Sequence, residues 1–383
     1  MKKLLLFAGV VVAMFTSCSK GTAPFTTDSG LNSKDFEIMV DSIQTQLYVM
    51  KNASGMEVTF TNIGARIVSI MVPDKEGKMT DVVLGFDSIG KYQNIPSDFG
   101  SAIGRYANRI NQGQITVEGQ TIQLPTNNYG HCLHGGPKGW QYRIFSAKQI
   151  DPTTIEFSLF SPDGEMNFPG NVKAKVVYRL TDDNAIDIQY EATTDAETVI
   201  NMTNHSYFNL NGDPSKPITD NILYLNADKF TPVDSTFMTT GEITSVFETP
   251  MDFTEPTAIG ARIDDDNQQL KNGHGYDHNW VLNTNGDVNS LAASVTSPVT
   301  GIVLEVYTDQ PGIQIYTGNF LDGTVTGKKG ITYPRRSAIC LETQVYPDSP
   351  NKFIQGVEGW PSGYLNPSEV YHHHTIFKFS VAK

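Results

Sequence analysis

Apolar and polar residues alternate with a period of two along most of the chain. In segment 172–178 the even-numbered positions are apolar, and segment 185–190 alternates in the same way. Similar segments lie at 57–60, 67–72, 155–160, 302–307 and 376–380. Successive side chains of a β-strand point to opposite faces of the sheet, so this period predicts strands with one buried face.

Turn residues separate these segments, as at Asp163-Gly164 and Asn285-Gly286. Segment 115–124 is typical of two short strands joined by a Glu118-Gly119 turn. Segment 259–270 is the one candidate for a short helix, with three aspartates on its solvent side. Many short strands without alternating helices predict an all-β fold, either a sandwich or a barrel. No composition shift divides residues 36–383, which we expect to form one domain.

The first residues have the features of an export signal. Lys2-Lys3 are followed by an apolar stretch that is too short to span a bilayer as a mature helix, and Thr16-Ser17-Cys18 comes next. Residues 1–18 therefore predict a signal peptide that ends in a lipobox-like cysteine. Cys18 would then be lipidated; ordinary signal cleavage nearby is the alternative. Residues 19–35 are polar and predict a flexible tether. The expected location is the bacterial envelope, facing the periplasm or the cell surface, with the membrane contacted only through the lipid.

The composition argues against some classes of binding partner and limits the chemistry of the cysteines. Among 383 residues the formal net charge is -13, and no run of three or more Lys or Arg residues occurs, which argues against a nucleic-acid partner. There are three cysteines and no C-x-x-C spacing. With Cys18 assigned to the lipid, we expect Cys132 and Cys340 to be unpaired thiols. The sequence leaves the oligomeric state open.

Glu342 is the charge that most needs an explanation. It follows the apolar residues Ala338, Ile339 and Leu341 within an apparent strand. A buried charge is costly unless it is paired or used in chemistry. We interpret Glu342 as a catalytic base and expect its acid partner in the stretch 203–209.

Polar residues beside glycines interrupt the strand pattern in five short stretches. Taken singly, each has a structural explanation. Arg105 and Arg109 could form surface ion pairs with acidic residues, His205 could be a core residue with its hydrogen bonds satisfied, and Asp277 could form an Asx-turn. The stretches are 104–110, 133–136, 203–209, 273–278 and 341–344. Together they offer carboxylates, imidazoles, an arginine and amides, which transfer protons and bind hydroxyl groups.

Other chemistries fit the sequence less well. The histidines lack metalloprotease spacing, and His372-His373-His374 indicates a strand with His373 facing away from its neighbours, so we predict no metal site. The glycines at 323–327 have the wrong spacing for a phosphate loop, and no G-x-S-x-G is present.

These stretches and a sixth at 314–320, in order and across nearly the whole chain after the tether, resemble the aldose 1-epimerases, also called galactose mutarotases. The residues that carry the resemblance are Gly104–Ile110, Leu133–Gly136, Thr203–Leu210, Gly275–His278, Gln314–Phe320 and Leu341–Gln344. The resemblance implies an all-β fold, the large antiparallel β-sandwich known as the galactose mutarotase-like supersandwich. It also implies the interconversion of α and β anomers of free aldoses such as glucose and galactose, with no cofactor.

The resemblance also implies roles for individual residues. It assigns Glu342 as general base and His205 as general acid for opening and closing the sugar ring. A set of substrate-binding residues would surround the sugar: Asn108, Arg109, His134, Tyr207, Asp277 and Gln314. His205 must be protonated before it donates, so a nearby acid such as Glu342 should favour its charged form.

Three alternatives remain at this stage. A non-catalytic carbohydrate-binding protein of the same fold would be indicated by loss of Glu342 or His205, and both are present. An epimerase for a sugar phosphate would need a basic cluster, for which Arg105 and Arg109 are the candidates. A glycoside hydrolase would need two carboxylates, such as Glu342 and Asp277, and would leave His205 without a role.

Overall fold

Antiparallel β-strands make up most of the regular structure. The structure is a computed structural model that describes residues 23–40 and 42–382. The predicted signal peptide and Cys18 lie outside the described residues. Within the described part, no helix has the length and apolar character needed to cross a bilayer.

The strands are short, and they follow one another along the whole described chain. In order they are β1 (Met39–Val40), β2 (Ile43–Gln44), β3 (Leu47–Lys51), β4 (Glu57–Thr61), β5 (Arg66–Pro73), β6 (Met79–Asp81), β7 (Ala102–Ile103), β8 (Arg109–Ile110), β9 (Gln114–Val117), β10 (Gln120–Gln123), β11 (Cys132–Leu133), β12 (Ser146–Asp151), β13 (Thr154–Ser161), β14 (Val172–Leu180), β15 (Ala185–Thr194), β16 (Thr198–Val199), β17 (Thr203–Asn204), β18 (Ile222–Leu225), β19 (Lys229–Thr231), β20 (Thr244–Ser245), β21 (Thr257–Ala258), β22 (Asp277–Val281), β23 (Leu291–Thr296), β24 (Ile302–Thr308), β25 (Gly312–Tyr316), β26 (Cys340–Gln344), β27 (Tyr364–Leu365) and β28 (Tyr371–Val381). The α-helices are α1 (Ile89–Asn94), α2 (Gln268–Gly273) and α3 (Ser349–Ile354).

Single 3-10 turns connect several of these elements. They lie at Ser33–Phe36, Asn111–Gly113, Trp140–Tyr142, Glu165–Asn167, Ile259–Ala261 and Lys328–Gly330.

Three large sheets pack around a common core. One sheet has nine strands in the order β12-β13-β14-β15-β28-β24-β23-β18-β21, one has four in the order β3-β4-β5-β6, and one has five in the order β20-β19-β22-β25-β26. The Phe60 ring of the four-stranded sheet lies 4.9 Å from the Tyr178 ring of the nine-stranded sheet. Thr343 of the five-stranded sheet hydrogen-bonds to His373 of the nine-stranded sheet at 3.0 Å. The predicted all-β supersandwich is confirmed.

The period-two segments become strands for the expected reason. In β14 the even-numbered residues are buried and pack in the core, while the intervening side chains are more exposed. The predicted hairpin is β9 and β10, and both Glu118 and Gly119 of its turn have positive φ. His373 is buried between its less buried neighbours and stacks on Tyr190 at 4.6 Å, as the alternation of side chains on a strand predicts.

The predicted helix at 259–270 is wrong. Residues 259–261 form a 3-10 turn, and α2 begins only at Gln268. The backbone of Arg262 leaves the helical region, with φ -136° and ψ 2°. Asn267 accepts a hydrogen bond from the backbone N–H of Gln269, which is the N-cap contact that starts α2 at this point. Local capping therefore overrides the apolar spacing that predicted one longer helix.

Part of the predicted tether packs against the sandwich. Leu31 and Phe36 are 3% and 0% exposed and join an apolar cluster with the loops near the four-stranded sheet. Ser69 of β5 donates to Ser29 at 3.0 Å, and Glu57 accepts from the backbone of Asp28 at 2.8 Å. Within the described part of the tether, the packed structure thus begins about ten residues before residue 36, because two apolar anchors and paired hydroxyl groups lie in an otherwise polar stretch.

Cys132 and Cys340 are both buried and unpaired, as expected from the sequence. Burial raises the pKa of the Cys132 thiol to about 12, and it raises that of Cys340 well above its ordinary value. Both thiols therefore stay neutral at physiological pH and act as small apolar side chains.

Two polar loops approach each other closely where Gly135 meets Gly104. Gly135 has φ +78°, and a Cβ built there would lie 2.2 Å from the carbonyl oxygen of Gly104. We predict that Gly135→Ala lowers the free energy of unfolding by about 3 kcal/mol or more, since it adds a clash with the backbone to the cost of a left-handed conformation. Urea denaturation measures the change.

Gly130→Ala is the matched control. Gly130 has φ +85°, but a Cβ there would meet nothing within 4 Å, so it carries the conformational cost alone. We expect a loss of about 1–2 kcal/mol. Equal losses for the two variants would contradict the close approach of the two loops.

Candidate active site

Strand β26 carries Glu342 into the interior on the face that points away from the nine-stranded sheet. Its neighbour Thr343 contacts His373 and Thr375 of that sheet, and side chains alternate along a strand, so Glu342 points to the opposite face. Glu342 is 2% exposed. Its ladder partner on β25 is Gln314.

The five-stranded sheet also supplies Asp277 and Gln314. The Gln314 side-chain amide donates to Asp277 Oδ1 at 2.7 Å. Gln314 pairs with Asn279 across the ladder, and Asp277 pairs with Tyr316, so the two side chains are diagonal neighbours on one face. Asp277 is therefore a strand residue of the sheet, and the Asx-turn interpretation is wrong.

His205 reaches the same place from a separate strand pair. Its backbone N–H donates to Ser101 at 2.9 Å, next to the β7–β17 ladder. Three residues further on, Phe208 and Ile339 exchange two backbone hydrogen bonds at 2.7 and 2.9 Å, which joins this stretch to the segment leading into β26. His205 Nε2 lies 3.4 Å from Glu342 Oε1.

Aromatic rings fix the plane of the His205 imidazole. The Tyr207 ring stacks on it, with centroids 5.1 Å apart and an interplanar angle of 17°. The His134 ring meets it edge-on at the same distance. These two ring contacts restrict rotation of the imidazole while its Nε2 faces Glu342.

The β8–β11 pair contributes Asn108, Arg109 and His134. The backbone N–H of Asn108 donates to His134 Nδ1 at 3.1 Å, and the Asn108 carbonyl accepts from the His134 backbone. Arg109 Nε donates to Asn128 at 3.0 Å, and its guanidinium lies 4.8 Å from the centre of the Phe237 ring. These contacts hold the arginine and the imidazole on one wall.

All of these side chains except Gln314 line one cavity of about 160 Å³. Its walls are formed by Asp98, Asn108, Arg109, Asn128, Leu133, His134, His205, Tyr207, Asp277, Tyr316, Phe320 and Glu342. Gln314 contacts this wall through its hydrogen bond to Asp277. The structure thus brings together the residues predicted for the site: Glu342, His205, Asn108, Arg109, His134, Tyr207, Asp277 and Gln314.

Five lining residues were not among the predicted site residues, and one of them, Leu133, lies in the stretch 133–136 that carried the resemblance. Tyr316 and Phe320 fall inside the stretch 314–320 that carried the resemblance, whereas Asn128 and Asp98 fall in no such stretch. Asp98 lies in a loop before β7, and its position beside the histidines depends entirely on tertiary packing.

Arg105 takes no part in this cavity, and the interpretation of Arg105 and Arg109 as members of surface ion pairs is wrong. Arg105 is 2% exposed and donates to the carbonyls of Pro169 and Gly170 at 2.7 and 2.9 Å. It also donates to the Ser161 hydroxyl at 2.6 Å. Arg105 is a structural residue that closes a loop, and Arg109 is the cation of the cavity.

Burial shifts the pKa values of Glu342 and His205 in opposite directions. It raises the pKa of the Glu342 carboxyl well above its ordinary value, and the charges of Asp277 and Asp98 act in the same direction. It lowers the pKa of the His205 imidazole, which Asp98 opposes. Glu342 becomes a stronger base and His205 a stronger acid, because low polarity disfavours both charged forms.

The other charged wall residues are also affected by burial. Burial raises the pKa of Asp277, and the nearby charge of Arg109 and the hydrogen bond from Gln314 partly reverse this effect. Burial also lowers the pKa of His134 well below its ordinary value, so His134 is neutral. A neutral imidazole that accepts at Nδ1 keeps its proton at Nε2, where it is a hydrogen-bond donor.

Several buried polar atoms of this site have no hydrogen-bond partner among residues 23–40 and 42–382. They are Asp98 Oδ1, His205 Nδ1, Gln314 Oε1 and Glu342 Oε2. Leaving such atoms unpaired is costly, so water or a ligand is expected to supply the missing partners. A small molecule rich in hydroxyl groups would satisfy them.

Asp98, His134 and His205 have the residue types of a metal site, and their candidate ligand atoms lie within 4.8 Å of one another. The hydrogen-bonding of His134 argues against coordination. Its Nδ1 already accepts the Asn108 N–H, and its Nε2 carries the proton, so neither nitrogen has a free lone pair. The donor set in the described chain does not fit a metal ion.

The chain matches a family model described as aldose 1-epimerase over residues 46–378. It is 42% identical to galactose mutarotase from Bos taurus over 85% of this chain and 92% of that protein. It is 38% identical to aldose 1-epimerase from Escherichia coli strain K12 over 87% of this chain and 95% of that protein.

Solved structures agree with these sequence matches. An aldose epimerase homologue from C. elegans superposes with a TM-score of 0.81 at 30% identity, covering 88% of this chain and all of that one. Galactose 1-epimerase from Lactobacillus acidophilus gives a TM-score of 0.79 at 28% identity, covering 90% of this chain and 97% of that one.

The burial of Glu342 predicts a stability that depends on pH. The folded state raises its pKa, so the wild type loses stability as the pH rises through that folded value and the carboxylate forms. We predict that Glu342→Gln increases the free energy of unfolding at pH 8 by about 1–3 kcal/mol, since a neutral amide replaces a buried charge. The increase should shrink at pH 5, where the carboxyl is more protonated.

Urea denaturation at the two pH values measures this effect. Glu358→Gln, at an exposed position, is the control and should change stability little at either pH. A destabilised Glu342→Gln variant at pH 8 would show that the buried carboxylate is fully compensated by its surroundings.

Proposed function

The chain belongs to the aldose 1-epimerase family, whose reaction interconverts the α and β anomers of aldoses, and we propose that Glu342 and His205 carry out the proton transfers. The observation that carries the proposal is the 3.4 Å contact between Glu342 Oε1 and His205 Nε2 on the wall of a polar cavity. Anomerisation needs a base and an acid at two oxygens bonded to the same carbon. A carboxylate and an imidazole at this separation meet that requirement.

The reaction proceeds by opening the sugar ring. Glu342 takes the proton of the anomeric hydroxyl, His205 gives a proton to the ring oxygen, and the bond between C1 and the ring oxygen breaks. The open chain then carries an aldehyde at C1. Rotation about the C1–C2 bond presents the other face of the carbonyl, and the same two groups return the protons as the ring closes. Atoms and charge balance within the pair, and no oxidation occurs.

The opposite pKa shifts suit this exchange. A carboxyl with a raised pKa and an imidazole with a lowered pKa hold a proton with more similar strength than the free groups do. Proton transfer in either direction then requires little energy, as a reversible reaction requires. General acid–base catalysis of this kind contributes about 10²–10⁴-fold in rate.

The remaining wall residues would hold the sugar. Asp277, which lies near Arg109 and is fixed by Gln314, is placed to accept from hydroxyl groups. His134 and Arg109 would donate to oxygens, Asn108 would do either, and Tyr207 would hold the acid in place by stacking. Glucose and galactose are the proposed substrates, since the relatives are named for galactose or for aldoses generally.

Charge favours free sugars over sugar phosphates. The cavity wall contains three carboxylates, those of Asp98, Asp277 and Glu342, and a single guanidinium, that of Arg109. Arg105, the second candidate for a basic cluster, is directed into a loop elsewhere. A dianionic phosphate would meet net repulsion here.

The proposed roles predict the loss of turnover in two variants. Glu342→Gln removes the base and His205→Asn removes the acid, so each should slow the enzyme by about 10²–10⁴-fold. Polarimetry on freshly dissolved α-D-galactose measures the rate at which optical rotation approaches equilibrium.

Exposed residues of the same types provide the controls. Glu358→Gln and His372→Asn should leave the rate unchanged, since both side chains are exposed. Near-wild-type activity in either site variant would remove that residue from the mechanism, provided that its unfolding transition is intact.

We further propose that the protein is exported and anchored to the bacterial envelope through a lipidated Cys18. Support comes from Lys2-Lys3, the apolar stretch after them and the Thr16-Ser17-Cys18 ending. Mass spectrometry of the protein purified from membranes should find a lipid-modified peptide that begins at Cys18 and ends at Lys20. An unmodified N-terminus produced by cleavage elsewhere would contradict the anchor.

A further inference from the structure

Asp98 lines the proposed catalytic cavity, but neither the base nor the acid assignment uses it. A carboxylate oxygen of Asp98 and ring nitrogens of His134 and His205 all lie within 4.8 Å of one another. Its Oδ1 is buried and has no hydrogen-bond partner in the part of the chain that the structure describes. This charged atom therefore acts on the catalytic histidine through space.

The loop that carries Asp98 is held firmly. The guanidinium of Arg66 donates to the carbonyls of Ser97 and Phe99, each at 2.9 Å, and so ties down the residues on both sides of Asp98. The backbone and hydroxyl of Ser101 both donate to the Asp98 carbonyl, at 3.0 and 2.8 Å. The Phe99 ring packs edge-on against Tyr207, the ring that stacks on His205.

Such anchoring gives the carboxylate a defined position relative to the imidazole. Arg66 is 0% exposed and is itself a cation near His205, which disfavours the imidazolium. The negative charge of Asp98 opposes this effect of Arg66 on His205. The arginine therefore shapes the loop, and the aspartate offsets its charge at the catalytic group.

We propose that Asp98 is a positioning residue for the proton: its carboxylate keeps the transferable proton on the Glu342–His205 pair at neutral and mildly alkaline pH. The inference rests on the proposed roles of Glu342 and His205. The pair is active when it holds one proton. With two protons the base is lost, and with none the acid is lost. A nearby negative charge increases the affinity of the pair for protons.

Other titratable or charged groups surround the pair. Asp277 acts on Glu342, but it differs from Asp98 because its carboxyl oxygen accepts a hydrogen bond from Gln314 and because the charge of Arg109 is nearby. Burial keeps neighbouring phenol and thiol groups neutral by raising their pKa values. The titratable or charged groups that face the pair are Arg66, Asp98, Arg109, His134, Tyr207, Asp277, Tyr316 and Cys340.

The test compares the pH dependence of kcat in the full-length wild type and in Asp98→Asn. Removing the charge weakens proton binding by the pair, so both limbs of the bell-shaped profile should move to lower pH. We expect kcat at pH 8 to fall by about ten-fold, and KM for galactose to stay within about two-fold. On the acid side the variant should equal or exceed the wild type.

Three further variants make the result specific. Asp98→Glu keeps the charge and should largely restore the wild-type profile. Asp98→Ser removes the charge with a different side chain and should reproduce the shift, which keeps the test valid if Asp98→Asn does not fold. Asp265→Asn removes an exposed carboxylate and should leave the profile unchanged.

Each other outcome has a defined meaning. A higher KM with unmoved limbs would make Asp98 a sugar ligand and overturn the inference, as would unchanged kinetics. A lower Tm with a normal profile would make it a purely structural residue. An inactive wild type would refute the proposed function itself, which separates the two failures.

Discussion

The site depends on the cost of burying two ionisable groups together. Glu342 and His205 are almost fully buried, and neither has a hydrogen bond that would compensate its charge in full. Water would relieve that cost and would also bring the two groups back to their ordinary acidity. The fold instead keeps them in a polar but enclosed cavity, where a carboxylate becomes more basic and an imidazole more acidic. Burying the pair therefore lowers the stability of the fold and increases the reactivity of the two groups.

A buried pair of this kind works only if its geometry is fixed, and the sandwich provides that. Glu342 stands on a strand inside a five-stranded sheet, and the segment before it exchanges backbone hydrogen bonds with Phe208, just after His205. The base and the acid thus come from distant parts of the sequence but share one hydrogen-bonded framework. Loops then add the groups that face the sugar, and their close contacts, as at Gly104 and Gly135, leave little freedom.

Sequence patterns predicted the strands and singled out Glu342, whereas the resemblance to the aldose 1-epimerases assigned the other site residues. Alternation identified the strands, and Glu342 was found because a charge in an apolar strand is unusual. The helix start was predicted wrongly, because the apolar spacing did not reveal that Asn267 caps α2 and so starts it later. Packing near the N-terminus escaped prediction as well, since Leu31 and Phe36 are isolated apolar residues in a polar stretch. No sequence pattern indicated Asp98, because its proposed role depends on where tertiary packing places an ordinary loop.

The central claim is that the pair opens the ring while the anomeric oxygen stays bonded to C1. The most direct measurement uses α-D-galactose that carries a heavy oxygen isotope at O1. After brief exposure to the enzyme, mass spectrometry and NMR determine the label in the β anomer. Breaking the bond to the ring oxygen predicts that the new β anomer keeps the label. If the label is lost to water with each conversion, the C1–O1 bond breaks instead, and Glu342 and His205 do not act as described.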